Sequence, residues 1–212
     1  MHIPDGFVSA PVAATGCVVA AGFIAYASKT TSKQIREKQI PLMGVLAAFI
    51  FAAQMLNFPI LGGTSGHLIG AALAAILLGP WVGVLIMTCV LAVQCLVFQD
   101  GGLFALGANI FNMGIVATFI SYYVYRGSKF LFGEHRRRIL VGGGLAAWSS
   151  VVMASIACAF ELAIAGTVPL GVALPAMAGI HALIGIGEGV ITAAVLSLIM
   201  ATRVDLLELQ KA

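Results

Sequence analysis

The chain has 212 residues, of which 61% are hydrophobic and only 9% are charged, and its mean hydropathy is +1.07. Soluble domains carry about 25% charged residues, so this composition excludes a soluble protein and indicates an integral membrane protein. The net charge of +3 could suggest an acidic partner, but the distribution of the charges along the chain is more informative than their sum. We therefore expect membrane lipid around the protein and no nucleic acid as a partner.

Seven apolar runs follow one another along the chain. They are Ser9 to Ser28, Pro41 to Asn57, about Gly63 to Leu78, Pro80 to Phe98, Ala105 to Tyr125, Ile139 to Gly166 and about Ala176 to Ala201. A run of about twenty residues can cross a hydrocarbon layer about 30 Å thick. The third run has two interpretations, because its wholly apolar part, Leu68 to Leu78, would form a helix of only about 17 Å. A re-entrant segment is the alternative to a span there.

The basic residues decide between these alternatives. If all seven runs cross the membrane and the N-terminus is outside, all eleven Lys and Arg residues lie on the inner side, as the positive-inside rule requires. They are Lys29, Lys33, Arg36, Lys38, Arg126, Lys129, Arg136, Arg137, Arg138, Arg203 and Lys211. The sequence therefore predicts an all-α fold in a single integral membrane domain, residues 1–212. It has seven transmembrane helices, the N-terminus outside and the C-terminus in the cytoplasm.

The N-terminus is the most informative stretch for chemistry, because a histidine directly follows Met1. The α-amine, the amide nitrogen of His2 and the Nδ1 atom of its ring can close two chelate rings on one metal ion, and a fourth planar position stays open. Planar nitrogen ligands suit Ni²⁺ or Cu²⁺ better than Zn²⁺ or Mg²⁺. Most histidines at position 2 have no such role, so the alternative of an unused side chain stands beside this hypothesis.

A second histidine could fill the open position. His67 ends the segment Gly62–His67, which the predicted topology places on the same outer side as Met1. We expect His67 at the start of its helix, pointing into an external cavity; the alternative is an interfacial histidine bonded to a carbonyl. Glu161 and His181 border the last outer loop and could form a gate or support the metal ligands, with a packed, hydrogen-bonded pair as the alternative. Glu188 is a functional candidate because it is ionisable within a span.

The opening Met-His-Ile-Pro-Asp-Gly-Phe, the segment Gly-Gly-Thr-Ser-Gly-His and the seven-run layout resemble the nickel/cobalt-specific substrate-capture subunit, or S-component, of energy-coupling factor (ECF) transporters. The resemblance covers essentially the whole chain. It implies a metal site formed by Met1, His2 and His67, with Ni²⁺ as the transported ligand and Co²⁺ as the alternative. Cobalt members often have Met-Glu where this chain has Pro4-Asp5, which favours nickel.

The resemblance also implies a non-enzymatic protein of a prokaryotic plasma membrane. Its expected partners are a transmembrane coupling subunit and two cytoplasmic ATP-binding subunits, often with a small additional membrane subunit. No Walker A sequence occurs in the chain, so we expect no ATP to be bound by it. Small residues of the second run, Ala47, Ala48, Ala52 and Ala53, could face the coupling subunit or pack within the chain.

A function of another class fits a short part of the sequence. Gly63-Thr64-Ser65-Gly66 matches the G-x-S-G of rhomboid-type intramembrane serine proteases, with His181 as the base for Ser65. The match is four residues long and leaves Met1 and His2 unexplained. A channel or a vitamin-capture subunit is a further alternative.

Overall fold

A computed structural model describes residues 1–33, 35, 37–132 and 135–208 of the chain. The α-helices are α1 (Ala10–Thr31), α2 (Ile40–Gln54), α3 (Ala71–Leu78), α4 (Pro80–Phe98), α5 (Leu106–Asn109), α6 (Ala117–Phe132), α7 (Arg136–Ile164) and α8 (Leu170–Thr202). Two 3₁₀ helices cover Glu37–Gln39 and Val204–Glu208, and a π-helical stretch, Ile110–Val116, joins α5 to α6. Strands β1 (Phe58–Pro59) and β2 (Ser65–Gly66) pair antiparallel in a short hairpin. The predicted all-helical character is confirmed, with this hairpin as the addition.

Four helices of the described chain, α1, α4, α7 and α8, are long and apolar enough to cross a membrane. The shorter helix α2 has 15 residues and is also apolar. If α5, the π-helical stretch and α6 are taken as one continuous helix, each of the seven apolar runs contains a helical segment in the described residues. Helical membrane character is thus established, while the number of crossings and their orientation stay predictions.

The third run is helical only in its second half. Helix α3 begins at Ala71, and all eight of its residues are buried. At 1.5 Å per residue the helix is about 12 Å long, too short to cross a hydrocarbon layer of about 30 Å alone. A crossing at this point therefore needs the extended residues that precede the helix, and irregular backbone at that depth must be shielded by protein.

Small residues allow α1 and α5 to approach through their backbones. A Cβ atom added at Gly107 would lie 2.3 Å from the backbone nitrogen of Cys17, and one added at Gly16 would lie 2.8 Å from that of Ala108. Close approach of this kind is the usual role of small residues between membrane helices. The contact places Asn109, at the end of α5, against the N-terminal segment.

The two ends of the bundle differ in composition. At one end the N-terminal segment is bonded to the loop after α4 and to the loop between α7 and α8, through Asp5 with Leu103 and through Thr167 with Phe7. At the other end Arg136, which begins α7, donates a hydrogen bond to Ser197 near the end of α8. Of the described basic residues, Lys29 lies in the last turn of α1, Lys33 and Lys38 follow it, and the others occupy the second half of α6 or adjoin the start of α7 and the end of α8. Arg36 and Lys211 lie outside the described residues.

Candidate metal site

Residues Met1 to Ile3 are inserted into the bundle instead of lying on its surface. The exposed fractions of Met1, His2 and Ile3 are 0%, 4% and 0%. Asn109 pairs with the backbone of Ile3 in both directions: the Ile3 N–H donates to Oδ1 at 2.8 Å, and Nδ2 donates to the Ile3 carbonyl at 3.1 Å. Gly102 N–H donates to the same carbonyl at 2.9 Å. These bonds satisfy the buried backbone and fix the position of the two residues before it.

Ser65 of β2 holds the first two nitrogen atoms of the chain. The Met1 amine donates to both the carbonyl oxygen and the Oγ of Ser65, and the His2 amide donates to the same Oγ at 3.0 Å. Burial lowers the pKa of the amine from 8.0 to about 4, so it is neutral near pH 7. A neutral amine that donates its two hydrogens to Ser65 keeps one lone pair for another partner.

The ring of His2 is held from both sides. Its Nε2 lies 3.0 Å from Oε1 of Gln94, and its Nδ1 lies 3.3 Å from Oδ1 of Asp100. Burial lowers the pKa of His2 to about 3, so the ring is neutral. An amide oxygen can only accept, so the single hydrogen of the neutral ring is on Nε2. Nδ1, the nitrogen that a chelate with the amine and the amide needs, is then the atom with the free lone pair, and it has no hydrogen-bond partner.

His67 has the complementary arrangement. Its Nδ1 lies 2.7 Å from the carbonyl oxygen of Leu68, which accepts a hydrogen bond, so the hydrogen of the neutral ring is on Nδ1. Its Nε2 is buried and has no hydrogen-bond partner. Burial also lowers the pKa of His67 well below 6.5. A histidine whose second nitrogen donates to a carbonyl is the usual form of a metal ligand.

The structure therefore brings the three predicted residues together. The rings of His2 and His67 stack with centroids 4.5 Å apart and an interplanar angle of 22°. His67 is 2% exposed and lies between β2 and α3, four residues before the helix. The expectation that it begins its helix was wrong, because Gly70, with φ of +78°, is the residue before α3.

The described residues contain no group of three or more His, Cys, Asp or Glu side chains that could hold a metal ion. A metal site here depends on nitrogen atoms of the main chain as well as on the two rings. Such a donor set is unsuited to hard cations that prefer oxygen ligands, and it suits nitrogen-seeking transition metals.

Glu161 and His181, expected as a gate or a pair, have separate partners. Asn112 Nδ2 donates to Oε2 of Glu161 at 2.6 Å, while Nδ1 of His181 bonds the carbonyl of Met177 at 2.8 Å. The hydrogen-bonded pair was therefore wrong. His181 is fully buried, and its Nε2 has no hydrogen-bond partner.

Glu188 supports the segment that follows His67. From the middle of α8 its carboxylate accepts hydrogen bonds from the backbone N–H groups of Ile69 and Gly70, at 2.5 and 2.9 Å. Gln54 Nε2 of α2 donates to the Ile69 carbonyl at 2.6 Å. The two side chains satisfy buried backbone that has no helical partners, and they hold His67 in register.

The Ser65–His181 dyad of the protease hypothesis is not formed. Ser65 Oγ accepts bonds from Met1 and His2, and the nitrogen of His181 that could act as a base has no partner. The geometry gives this alternative no support.

Four polar residues around the site were not singled out from the sequence: Gln94, Asp100 and Asn109, which contact the N-terminal segment, and Gln54, which bonds the segment before α3. A signal for them exists, since Gln94, Asn109 and Gln54 each interrupt an apolar run, and polar side chains within membrane helices are costly and commonly functional. Asp100 carries no such signal, because an acidic residue in a loop is ordinary.

With this geometry established, comparison with known proteins identifies the family. The family model described as the cobalt uptake substrate-specific transmembrane region, CbiM, matches residues 2–206. The chain belongs to the CbiM family. The predicted resemblance is thereby confirmed.

Named CbiM-type relatives divide between two metals. A protein from Archaeoglobus fulgidus, named by inference as a fused nickel transport protein, is 45% identical over 100% of this chain and 69% of its own length. A cobalt transport protein of Pelobacter propionicus is 35% identical over 94% of this chain and 91% of its own length. The crystal structure of a truncated transition metal transporter superposes with a TM-score of 0.90 at 35% identity, over 95% of this chain and 99% of that one. The names of these relatives describe metal transport proteins.

Proposed function

We propose that this CbiM-family protein captures Ni²⁺, with Co²⁺ as the alternative cargo, for ATP-driven uptake as the substrate-capture subunit of an ECF transporter. The proposed ligands are the Met1 amine, the amide nitrogen and Nδ1 of His2, and Nε2 of His67. The observation that supports this best is the pair of stacked rings, in which the required nitrogen of each ring is buried and lacks a hydrogen-bond partner. The names of the relatives, which include nickel and cobalt transport proteins, support the choice of cargo.

The donor set explains the proposed selectivity. Four nitrogen atoms in one plane suit Ni²⁺, whereas Zn²⁺ prefers a tetrahedral shell and Mg²⁺ prefers oxygen ligands. The His2 amide hydrogen, which now points to Ser65 Oγ, must leave before the amide nitrogen can bind the metal. Loading therefore releases a proton, and affinity falls in acid.

The proposed orientation places this site outside the cell and the basic end of the bundle in the cytoplasm, with seven crossings. The positive-inside rule supports it, because the described Lys and Arg residues lie at the end of the bundle away from Met1. The test is to attach a reporter enzyme, active only in the cytoplasm, after α6 or after α8. Activity of both fusions supports the topology, and an external reporter at either point contradicts it.

The proposed partners are a transmembrane coupling subunit, two cytoplasmic ATP-binding subunits and, in many systems, a small additional membrane subunit. On α2, Ala48 and Ala52 are exposed one turn apart, whereas Ala47 and Ala53 are half-buried. We propose Ala48 and Ala52 as the part of the predicted small-residue face that contacts the coupling subunit. Replacing both with Leu should reduce copurification of that subunit while leaving metal capture unchanged.

The decisive experiment is metal analysis of the purified protein in detergent, with Met1 as the first residue. A second version has one extra residue before Met1, which displaces the amine. We expect one Ni²⁺ per chain in the first and none in the second, because the added residue has no space beside the fully buried Met1.

The matched control is His135→Ala, which removes an exposed histidine at the basic end of the bundle and should leave the metal content unchanged. Equal metal in the native and extended proteins would move the site away from the N-terminus. An absence of metal in both, after incubation with Ni²⁺ or Co²⁺, would contradict the proposed function.

A further inference from the structure

The loop after α4 presents a carboxylate to the proposed metal site in a fixed orientation. Asn57 Nδ2 donates to Oδ2 of Asp100 at 2.9 Å, and the Asp100 N–H donates to the carbonyl of Gln94 at 3.0 Å. The remaining oxygen, Oδ1, lies 3.3 Å from Nδ1 of His2. The side chain of Asp100 is 18% exposed and that of His2 is 3% exposed, so water screens this contact little.

The contact joins two groups that both accept. Because Gln94 Oε1 accepts from Nε2 of His2, the lone pair of Nδ1 faces the carboxylate oxygen. Two facing acceptors are unfavourable unless positive charge lies beside them. The arrangement is therefore complementary to a cation bound at Nδ1.

The net charge of the loaded site also indicates a role for Asp100. A divalent ion bound by a neutral amine, two neutral imidazoles and one deprotonated amide nitrogen has a net charge of +1. Met1, His2 and His67 are all almost completely buried, and burying an uncompensated charge is costly. One carboxylate would make the buried complex neutral.

Other nearby carboxylates are engaged elsewhere. Asp5 accepts hydrogen bonds from the N–H groups of Leu103 and Phe104, at 3.0 and 2.8 Å. Glu161 is bonded to Asn112, and Glu188 to the backbone before α3. In the part of the chain that the structure describes, the carboxylate oxygen that faces Nδ1 of His2 belongs to Asp100.

We propose that Asp100 is a positioning residue of the metal site, which supplies the single negative charge that balances a divalent ion on a singly deprotonated nitrogen set. This inference rests on the proposed function, because it takes the N-terminal chelate as the site. Asn57 aims the carboxylate, and Gln94 keeps the His2 ring in the tautomer that exposes Nδ1 to the ion.

The test compares Asp100→Asn with Asp100→Glu in the full-length protein in detergent, with Ni²⁺ as the probe. Affinity is measured by competition with a chromophoric chelator, and the visible absorption of the loaded protein reports the ligand geometry. Asp100→Asn keeps the shape and an acceptor for Asn57 but removes the charge. We expect its affinity to fall by about 10- to 100-fold, the usual range for partners of metal ligands, with an unchanged absorption band at saturating Ni²⁺.

Asp100→Glu keeps the charge and should recover most of the affinity. The matched control is Asp205→Asn, which removes an exposed carboxylate paired with Arg203 beyond α8 and should bind as the unaltered protein does. An Asp100→Asn protein with unaltered affinity would overturn the inference, and so would an Asp100→Glu protein as weak as Asp100→Asn.

Failure of the proposed function gives a different result. In that case the unaltered protein binds no Ni²⁺, or His67→Ala binds as tightly as the unaltered protein. If His67→Ala is empty while Asp100→Asn is unaffected, the chelate stands and only the role of Asp100 is lost.

Discussion

Helices α7 and α8 satisfy the hydrogen bonds of their backbone in a different way from the N-terminal end of the bundle. Helices α7 and α8 have 29 and 33 residues, satisfy their backbone internally and approach closely where a Cβ atom on Gly189 would lie 3.0 Å from the Gly144 carbonyl oxygen. Residues 1–9 and 58–70 are largely non-helical, yet Met1, His2 and His67 are buried. Buried irregular backbone needs partners from elsewhere in the protein.

Those partners are polar side chains of the surrounding helices. Asn109 binds Ile3, Gln54 and Glu188 bind the residues before α3, and Ser65 binds the first two nitrogen atoms. The comparison shows that stability of the regular pair depends on close packing, whereas the geometry of the site depends on a few hydrogen bonds. Substitutions in the two regions should therefore have different consequences for metal binding and for stability.

The largest effect is expected from His67→Ala. It removes the fourth proposed ligand and leaves the apolar helices unchanged, so Ni²⁺ affinity should fall by more than about 100-fold, beyond the usual effect of residues that only support ligands. Calorimetric titration with Ni²⁺ measures the loss. Membrane insertion and the thermal unfolding midpoint should stay close to those of the unaltered protein; retention of tight binding would contradict the ligand set.

Acid should weaken Ni²⁺ binding by about tenfold per pH unit between pH 8 and 5, because loading releases one amide proton. Burial already holds the pKa of the docked Met1 amine at about 4, so this amine contributes no further proton in that range. The undocked amine has a pKa near 8.0, so below pH 8 it binds more protons than the docked amine does. Docking of the N-terminal segment therefore weakens as the pH falls below 8.

The measurement is the apparent Ni²⁺ affinity at several pH values, together with direct detection of released protons in weakly buffered solution. A release of two or more protons per ion at pH 8 would show that the amine or a histidine is protonated before loading, and that the N-terminal segment is not docked as described.

Asn109→Ala should lower Ni²⁺ affinity by about 10- to 100-fold, because Ile3 loses both of its hydrogen bonds to this side chain and the chelating residues lose their fixed position. The matched control is Asn112→Ala, three residues further along, whose side chain bonds Glu161. The control should lower thermal stability and keep the affinity. Equal affinities for the two variants would show that Asn109 does not position the site.

Gly107→Ala should mainly reduce stability, because the added methyl group meets the backbone nitrogen of Cys17 at 2.3 Å. Overpacking of this kind costs about 1–3 kcal/mol. Gly127→Ala on α6 is the matched control, since its added methyl group has nothing within 4 Å. Thermal unfolding in detergent should show a lower midpoint for Gly107→Ala alone, with a smaller loss of Ni²⁺ affinity than Asn109→Ala.

Several features of the site were predictable from local sequence chemistry. A histidine at position 2 can chelate a metal ion together with its own main chain, so Met1 and His2 are recognisable as candidate ligands without reference to any other residue. His67 followed from the predicted topology, which placed its segment on the same side as the N-terminus. The partners of Glu188 were not predictable, because the residues that it binds, Ile69 and Gly70, offer only backbone N–H groups and lie more than a hundred positions away.

The sequence by itself determined the helical membrane architecture and the family, because hydrophobic run length, the distribution of Lys and Arg and the opening motif are local properties. The tertiary structure alone decided that Met1 and His2 lie inside the bundle, which nitrogen of each histidine is free, and that Asp100 faces His2. The physical reason is that burial and tautomer depend on acceptors such as Gln94 and the Leu68 carbonyl. Packing between distant segments determines where those acceptors lie, and no local sequence pattern encodes that packing.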